Sequence, residues 1–234
     1  MNRKVVNKIR FVLEELLPPI IRDSILFKYI VKYFYRSDKE HETLKENILN
    51  FTDEQYTKYY KAMPEIQGET DNSEDCINFI NEKIVPNDVF DVGCGRGLLL
   101  ERIRKKNKNL NLYGSEIFKS EKLKNREEQF NLKIHEIKIE NLNSIDKKFD
   151  TVICTHVLEH VLNIRMAYKN LKKICKDTLI IVVPKERPYN YTFNGHLHFF
   201  PYEWSLVNLL RPEPNSFSIK NINRDFVYIE KIKK

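Results

Sequence analysis

The stretch VFDVGCGRGLLLERI, residues 89–103, decides the fold. A short apolar run carrying Asp91 passes through Gly93, Gly95 and Gly97 straight into a helical pattern that opens with Leu98, Leu99 and Leu100. Glycine takes positive φ at little cost and lets a ligand touch the main chain where a Cβ would collide. A strand, a glycine turn and a helix in immediate succession therefore form a nucleotide-binding turn of a parallel α/β sheet. The spacing is GxGxG, not the GxGxxG of dinucleotide folds, and Asp91 stands two positions before the first glycine. A carboxylate there suits an ammonium group and repels a pyrophosphate, so the ligand expected at this turn is cationic or zwitterionic. Nineteen residues after Gly97, Glu116 closes the strand-like run NLYGSE, placed to accept from the two hydroxyls of a ribose. An adenosine with an amino-acid tail fits both ends.

Working outward, 234 residues suffice for one substantial core plus an appendage. Hydrophobic residues at 41% and charged residues at 31% exclude a disordered or collagen-like chain. The net charge of +7 favours an anionic partner without choosing among nucleotide, phosphorylated small molecule, nucleic acid and membrane surface. The four cysteines stand singly and no signal peptide precedes them, so reduced thiols in a cytoplasm are expected. The apolar stretch 20–35 is interrupted by Arg22, Asp23, Lys28 and Lys32 and is too short to span a membrane. It reads as an amphipathic helix packed on the core, with docking to a membrane surface as the alternative.

Residues 1 to about 60 lack glycine and carry apolar positions at helical spacing (Val5, Ile9, Val12, Leu13, Leu16), broken by Pro18 and Pro19. They predict a helical appendage or lid over 1–70, followed by the main domain over 71–234. From about residue 70, VFDV, NLYGSE, FDTVIC (149–154) and TLIIVVP (178–184) alternate with helical patterns. That alternation predicts a doubly wound α/β sheet, mostly parallel, with helices on both faces. The tail FSIKNINRDFVYIEKI predicts a closing antiparallel hairpin around a turn at Asn221 to Asp225.

DVGCGRG followed by SE, then FDTVICTHVLEHV and LIIVVP, resembles the class I S-adenosylmethionine-dependent methyltransferases in order and spacing, from about residue 75 to the C-terminus. The resemblance implies a Rossmann-like seven-stranded sheet, S-adenosyl-L-methionine as cofactor and S-adenosyl-L-homocysteine as product. It implies that Asp91, Gly93, Cys94, Gly95 and Gly97 line the methionine portion and that Glu116 holds the ribose. Ile139, Glu140, Thr155 and His156, after the third and fourth strands, would flank the adenine. There are two departures. Lys138 in HEIKIENL stands where relatives often carry an acidic residue, shifting the adenine contact to backbone near Ile139 or to Glu140. KKICKDT replaces the glycine-containing turn before the fifth strand.

The chain, including LLPPIIRDS near its start, is also similar to methyltransferases among bacterial surface-polysaccharide enzymes. That likeness implies O-methylation of a small acceptor, a sugar or a phosphate-bearing precursor of a surface glycan. An RNA or protein methyltransferase and a non-catalytic cofactor-binding scaffold are the alternatives. No recognisable RNA-binding module is present, the NPPY-type motif of amino-group methylation is replaced by VVPKERPY, and the glycine loop is intact. No DNA partner is expected, and the oligomeric state stays open.

HVLEH, residues 156–160, matches H-x-x-E-H, and GHLHFF adds His196 and His198. Directly after FDTVIC, HVLEH is expected to form the first turn of the fourth crossover helix, with His156 and His160 on one face as zinc would need. Val157, Leu158, Val161, Leu162 and Leu171 would mark that helix's buried face. The resemblance accounts for Glu159 and His160 as ordinary sequence closing over the cofactor, so no metal is expected. Zinc shared with His196 and His198 is the alternative. By the same match His196 faces the methyl donor. Histidine titrates near neutrality, and His196 is the first candidate for general base, with His198 or His156 after it. Tyr189, Tyr191, Phe193, Phe199, Phe200, Tyr202 and Trp204 are expected to pack this loop and its helix.

Overall fold

Seven strands form one sheet in the order β3-β2-β1-β4-β5-β7-β6. The computed structural model describes residues 3–35, 50–52, 54, 55, 58, 70–188 and 195–232. Strands β1 (Asp88–Val92), β2 (Asn111–Glu116), β3 (Lys133–Glu136), β4 (Phe149–Thr155) and β5 (Cys175–Pro184) are mutually parallel. β6 (Phe217–Ile222) and β7 (Asp225–Lys231) make the closing hairpin, β7 antiparallel to β5. The expected fold class is borne out. The hairpin turn narrows to Asn223 and Arg224, both at left-handed φ, as a tight two-residue turn requires.

Before the sheet, α1 (Arg3–Phe11), a π-helical turn (Val12–Leu16), α2 (Pro19–Arg22) and α3 (Ile25–Tyr35) form the N-terminal helical segment. The chain breaks at Pro18 and Pro19, as proline's fixed φ and missing donor dictate. Then follow α4 (Glu74–Lys83), α5 (Leu98–Lys106), α6 (Glu121–Gln129), a 3-10 helix (Ile139–Ser144), α7 (Ile164–Ile174) and α8 (Glu203–Leu210). Side chains alternate along the central strands. Phe90, Val152, Leu179 and Ile181 pack with Tyr168 and Leu171 of α7 and Leu206 of α8. Val89, Ile153, Ile180 and Val182 pack with Ile80 of α4, Leu99 and Ile103 of α5 and Leu123 of α6. Each such burial stabilises by about 1.5–3 kcal/mol, which explains why both faces need helices.

Where KKICKDT replaces the relatives' glycine-containing turn, helix passes directly into strand: α7 ends at Ile174 and β5 begins at Cys175. One expectation fails locally. HVLEH is not helical. The His156 N–H still bonds the Val182 carbonyl in the sheet ladder, and His156 takes φ +54, so no helix can begin there. α7 instead starts at Ile164, where the Asn163 side chain accepts from the Met166 N–H as an N-cap. Leu158, Val161 and Leu171 are buried as expected, but Leu162 is half exposed.

The N-terminal helices reach the carboxyl end of the sheet through charges. Buried Glu14 accepts from Arg10 at 3.1 Å and from Arg224 at 2.5 Å, while Arg187 donates to Glu15 at 3.1 Å. In the stretch 20–35, Phe27 and Arg22 are buried, whereas Ile20, Ile25, Leu26 and Tyr29 are exposed. Among the described residues no helix is long and apolar enough to cross a membrane. The four cysteines are buried and unbridged.

Asp150 ties together the starts of β1, β4 and β5. Its carboxylate accepts from the Asn87 and Asp88 N–H groups at 2.8 and 3.1 Å and from Lys176 Nζ at 2.9 Å. Burial opposes its ionisation, but these bonds outweigh burial and hold its pKa at about 2. The folded value lies below the unfolded one, so this stabilisation is complete above the unfolded value and is lost as pH falls through about 2. Asp150→Asn is expected to cost about 2 kcal/mol at about pH 7 and almost nothing at about pH 1.5, measured by urea unfolding.

Candidate active site

The glycine loop lies at the carboxyl ends of β1 and β2. Gly93, Gly95 and Gly97 all have positive φ, at +68°, +56° and +78°. A Cβ on Gly93 would fall 2.4 Å from Val157 Cγ2, so the turn after β4 packs directly on the loop. A Cβ on Gly95 would meet no described protein atom within 4 Å, which leaves an open side where main chain can meet a ligand. Gly95 N–H donates to Glu116 Oε2 at 2.6 Å and Ile117 N–H to Glu116 Oε1 at 2.9 Å, fixing the carboxylate beside the loop.

Asp91 is buried and its Oδ1 has no hydrogen-bond partner among the described residues. Burial, and then the nearby Glu116 carboxylate, push its carboxyl well above the usual range. Glu116 is raised by burial too, against the two N–H groups it accepts from, and burial also raises the Cys94 thiol. Two carboxyls beside the loop, one with an oxygen that meets no donor among the described residues, are complementary to a cation with hydroxyl groups nearby.

After β3, Ile139 is buried, and the carbonyls of Ile139 and Glu140 accept from Asn170 Nδ2 at 3.1 and 2.9 Å. That pins the 3-10 helix to α7. Thr155 Oγ1, ending β4, accepts from Asn72 Nδ2 at 3.0 Å.

The two histidine pairs meet at the ends of β4 and β5. Leu197 and His198 N–H both donate to the Glu159 carbonyl, joining GHLHFF to HVLEH. His196 Nδ1 donates to Glu186 Oε2 at 2.5 Å, and buried Glu186 in turn lies 3.5 Å from Arg10. His160 Nδ1 donates to the Gly195 carbonyl at 3.0 Å, and the His160 and His196 rings meet edge to face at 4.8 Å. His198 turns aside, Nε2 donating to the Val161 carbonyl at 2.8 Å. His156 Nδ1 lies 3.4 Å from Glu159 Oε1 and its Nε2 3.9 Å from Asp225. Burial opposes protonation of His156, but Asp225 and Glu159 outweigh it and raise its pKa. Burial and His196 push His160 down to about 4.

Glu186, Asn72 and Arg10 were not candidates in the sequence, although Glu186 follows the fifth strand by two residues, where α/β enzymes set functional side chains. Of the aromatic residues, Phe200 is buried and Tyr202 stacks on exposed Trp204. Phe199 packs 6.5 Å from His196, while Tyr189, Tyr191 and Phe193 lie outside the described residues.

Residues 90–178, from β1 into β5, match the family model described as a methyltransferase domain. That segment contains the glycine loop, Glu116 and HVLEH, on which the resemblance to the class I S-adenosylmethionine-dependent methyltransferases rests. It is similar to the ubiquinone biosynthesis O-methyltransferase of Rickettsia bellii, at 31% identity over 123 residues, covering 46% of this chain and 48% of that protein. The chain thus spans about half the length of the curated relatives it matches. Its fold is similar to the PH0226 protein of Pyrococcus horikoshii OT3, with TM-score 0.57, 15% identity, and 75% of this chain and 99% of that one covered. It is also similar to the plantazolicin methyltransferase BpumL in complex with a pentazolic desmethylPZN analog and SAH. There the TM-score is 0.53 at 14% identity, over 82% of this chain and 96% of that one. At these identities the structural likeness speaks for the fold alone.

Proposed function

We propose that the protein binds S-adenosylmethionine at the glycine loop and O-methylates a small polar acceptor. The observation that carries this reading is buried Asp91, whose Oδ1 has no donor among the described residues, beside the open face of Gly95 and the fixed carboxylate of Glu116. Asp91 would take the ammonium of the amino-acid tail, the loop at 93–97 would follow that tail, and Glu116 would hold the ribose hydroxyls. Ile139, Glu140, Thr155 and His156 would border the adenine, with Asn170 and Asn72 fixing the backbone and hydroxyl they present. When bound, the cofactor supplies a methyl group on a positively charged sulfur, whose C–S bond breaks as a C–O bond forms.

His196 is then the residue to take the acceptor's hydroxyl proton. Glu186 accepts from Nδ1–H, which leaves the lone pair on Nε2, and Arg10 lies beside Glu186. His198 engages its Nε2 with the Val161 carbonyl and is the weaker candidate. The N-terminal segment and residues 185–204 would form the lid, joined through Arg10, Glu14, Arg187 and Arg224. The positive charge favours a phosphate-bearing acceptor such as a surface-glycan precursor. The relatives named for ubiquinone biosynthesis favour a phenolic hydroxyl instead. Labelled methyl donor with a panel of nucleotide-activated sugars, phosphorylated metabolites, phenols and RNA distinguishes them. His196→Ala is expected to bind S-adenosylhomocysteine as the wild type does and to lose about 10²–10⁴-fold in turnover. Retained turnover would remove His196 from the reaction.

A further inference from the structure

One cluster in the site is not explained by methyl-donor binding. Glu159 is fully buried, and neither of its carboxylate oxygens has a hydrogen-bond partner among the described residues. The 3.4 Å approach of His156 is an ion-pair distance without hydrogen-bond alignment. A buried carboxylate left in that condition costs several kcal/mol unless a cation meets it. One ligand atom from each of Glu159, His160 and His196 lies within 4.8 Å of the others.

The two imidazoles are set as metal ligands are set. A carbonyl and a carboxylate only accept, so Gly195 and Glu186 place the protons of His160 and His196 on Nδ1. The lone pair of each ring is therefore on Nε2. Fixing a histidine's tautomer through a carbonyl or carboxylate at its other nitrogen is the usual outer support of a metal-bound imidazole. Buried Glu186, with Arg10 beside it, supplies that support to His196.

We propose that Glu159, His160 and His196 bind a divalent transition-metal cation of the zinc type. Two imidazole nitrogens and one carboxylate suit such an ion better than Mg²⁺ or Ca²⁺ and leave coordination positions open. Metal–ligand bonds of about 2.0–2.2 Å place ligand atoms about 3.3–3.5 Å apart, so side-chain adjustments close the present spacing. The set differs from the sequence alternative of His156 and His160 with His196 and His198: His198 is turned to Val161, and Glu159 takes the carboxylate position. An acceptor oxygen on an open position would lose its proton more readily, a role that rests on the methyl-transfer reading. With the metal bound, His196 Nε2 is a ligand, so this role replaces the direct proton acceptance given to His196 above, and the proton leaves to water.

The test is equilibrium dialysis of untagged, chelator-stripped full chain against Zn²⁺, with elemental analysis and without methyl donor. One Zn²⁺ per chain with Kd below about 1 µM is expected. Glu159→Gln and His196→Ala should each weaken binding by at least about 100-fold, and Glu186→Gln by about 10–100-fold. His135→Ala, on β3, should leave binding unchanged. Circular dichroism checks that each variant is folded. Wild-type protein that holds no Zn²⁺ at about 100 µM, or folded Glu159→Gln that binds as tightly as wild type, overturns the proposal. A separate titration with S-adenosylhomocysteine keeps failure of this site distinct from failure of the donor site.

Discussion

Asp91→Asn is expected to abolish useful cofactor affinity while making the ligand-free protein more stable. The buried carboxyl sits beside Glu116 with Oδ1 unbonded among the described residues, and its pKa is well above the usual carboxylate range. The folded value lies above the unfolded one. Asp91 therefore contributes most stability in acid, below the unfolded value, and that contribution is lost as pH rises toward the folded value. At neutral pH the ligand-free fold holds a carboxyl that an ammonium would relieve. Replacing the buried carboxyl with a neutral amide of nearly the same shape should raise the melting temperature by about 2–5 °C at pH 7. A buried ammonium–carboxylate contact is worth about 2–4 kcal/mol, so S-adenosylhomocysteine should bind on the order of 100-fold more weakly. Calorimetric titration and a thermal melt of the same sample read both effects. Unchanged affinity would remove Asp91 from the cofactor site.

Gly93→Ala should damage the fold itself. Left-handed backbone costs a residue with a Cβ about 1–2 kcal/mol, and overlap with Val157 adds about 1–3 kcal/mol. A loss of about 2–5 kcal/mol corresponds to a melting point roughly 10 °C lower. Adding Val157→Ala should recover the overlap and leave the φ cost. Gly95→Ala provides the contrast, because no described atom lies near its Cβ. Only the φ cost of about 1–2 kcal/mol falls on stability there, yet cofactor binding should fall sharply as the methyl group fills the open side of the loop. Tight binding by Gly95→Ala would place the ligand elsewhere.

The residues legible in the sequence were those whose constraint is local. Gly93, Gly95 and Gly97 are glycines at positions of left-handed φ, and the strand-like runs became β1, β2, β4 and β5 nearly residue for residue. The start of α7 was missed: the reading began that helix at HVLEH, whereas Asn163 caps a pattern of Ile164, Ala167, Tyr168, Leu171 and Ile174 at helical spacing. HVLEH was misread because a pair at i and i+4 suggests a helix, whereas His156 follows the sheet ladder in left-handed conformation. Nothing local announces that. Contacts between distant segments were not legible either. His196 with Glu186 depends on how the loop after β5 folds back, and Glu14 meets Arg224 across 210 positions.

The most direct test of the central claim is calorimetric titration of the untagged full chain with S-adenosylhomocysteine. Saturable binding at one site per chain, with Kd between about 1 and 100 µM and strongly weakened in Asp91→Asn, is the predicted result. No saturable heat up to about 1 mM ligand, from protein shown to be folded, would contradict it.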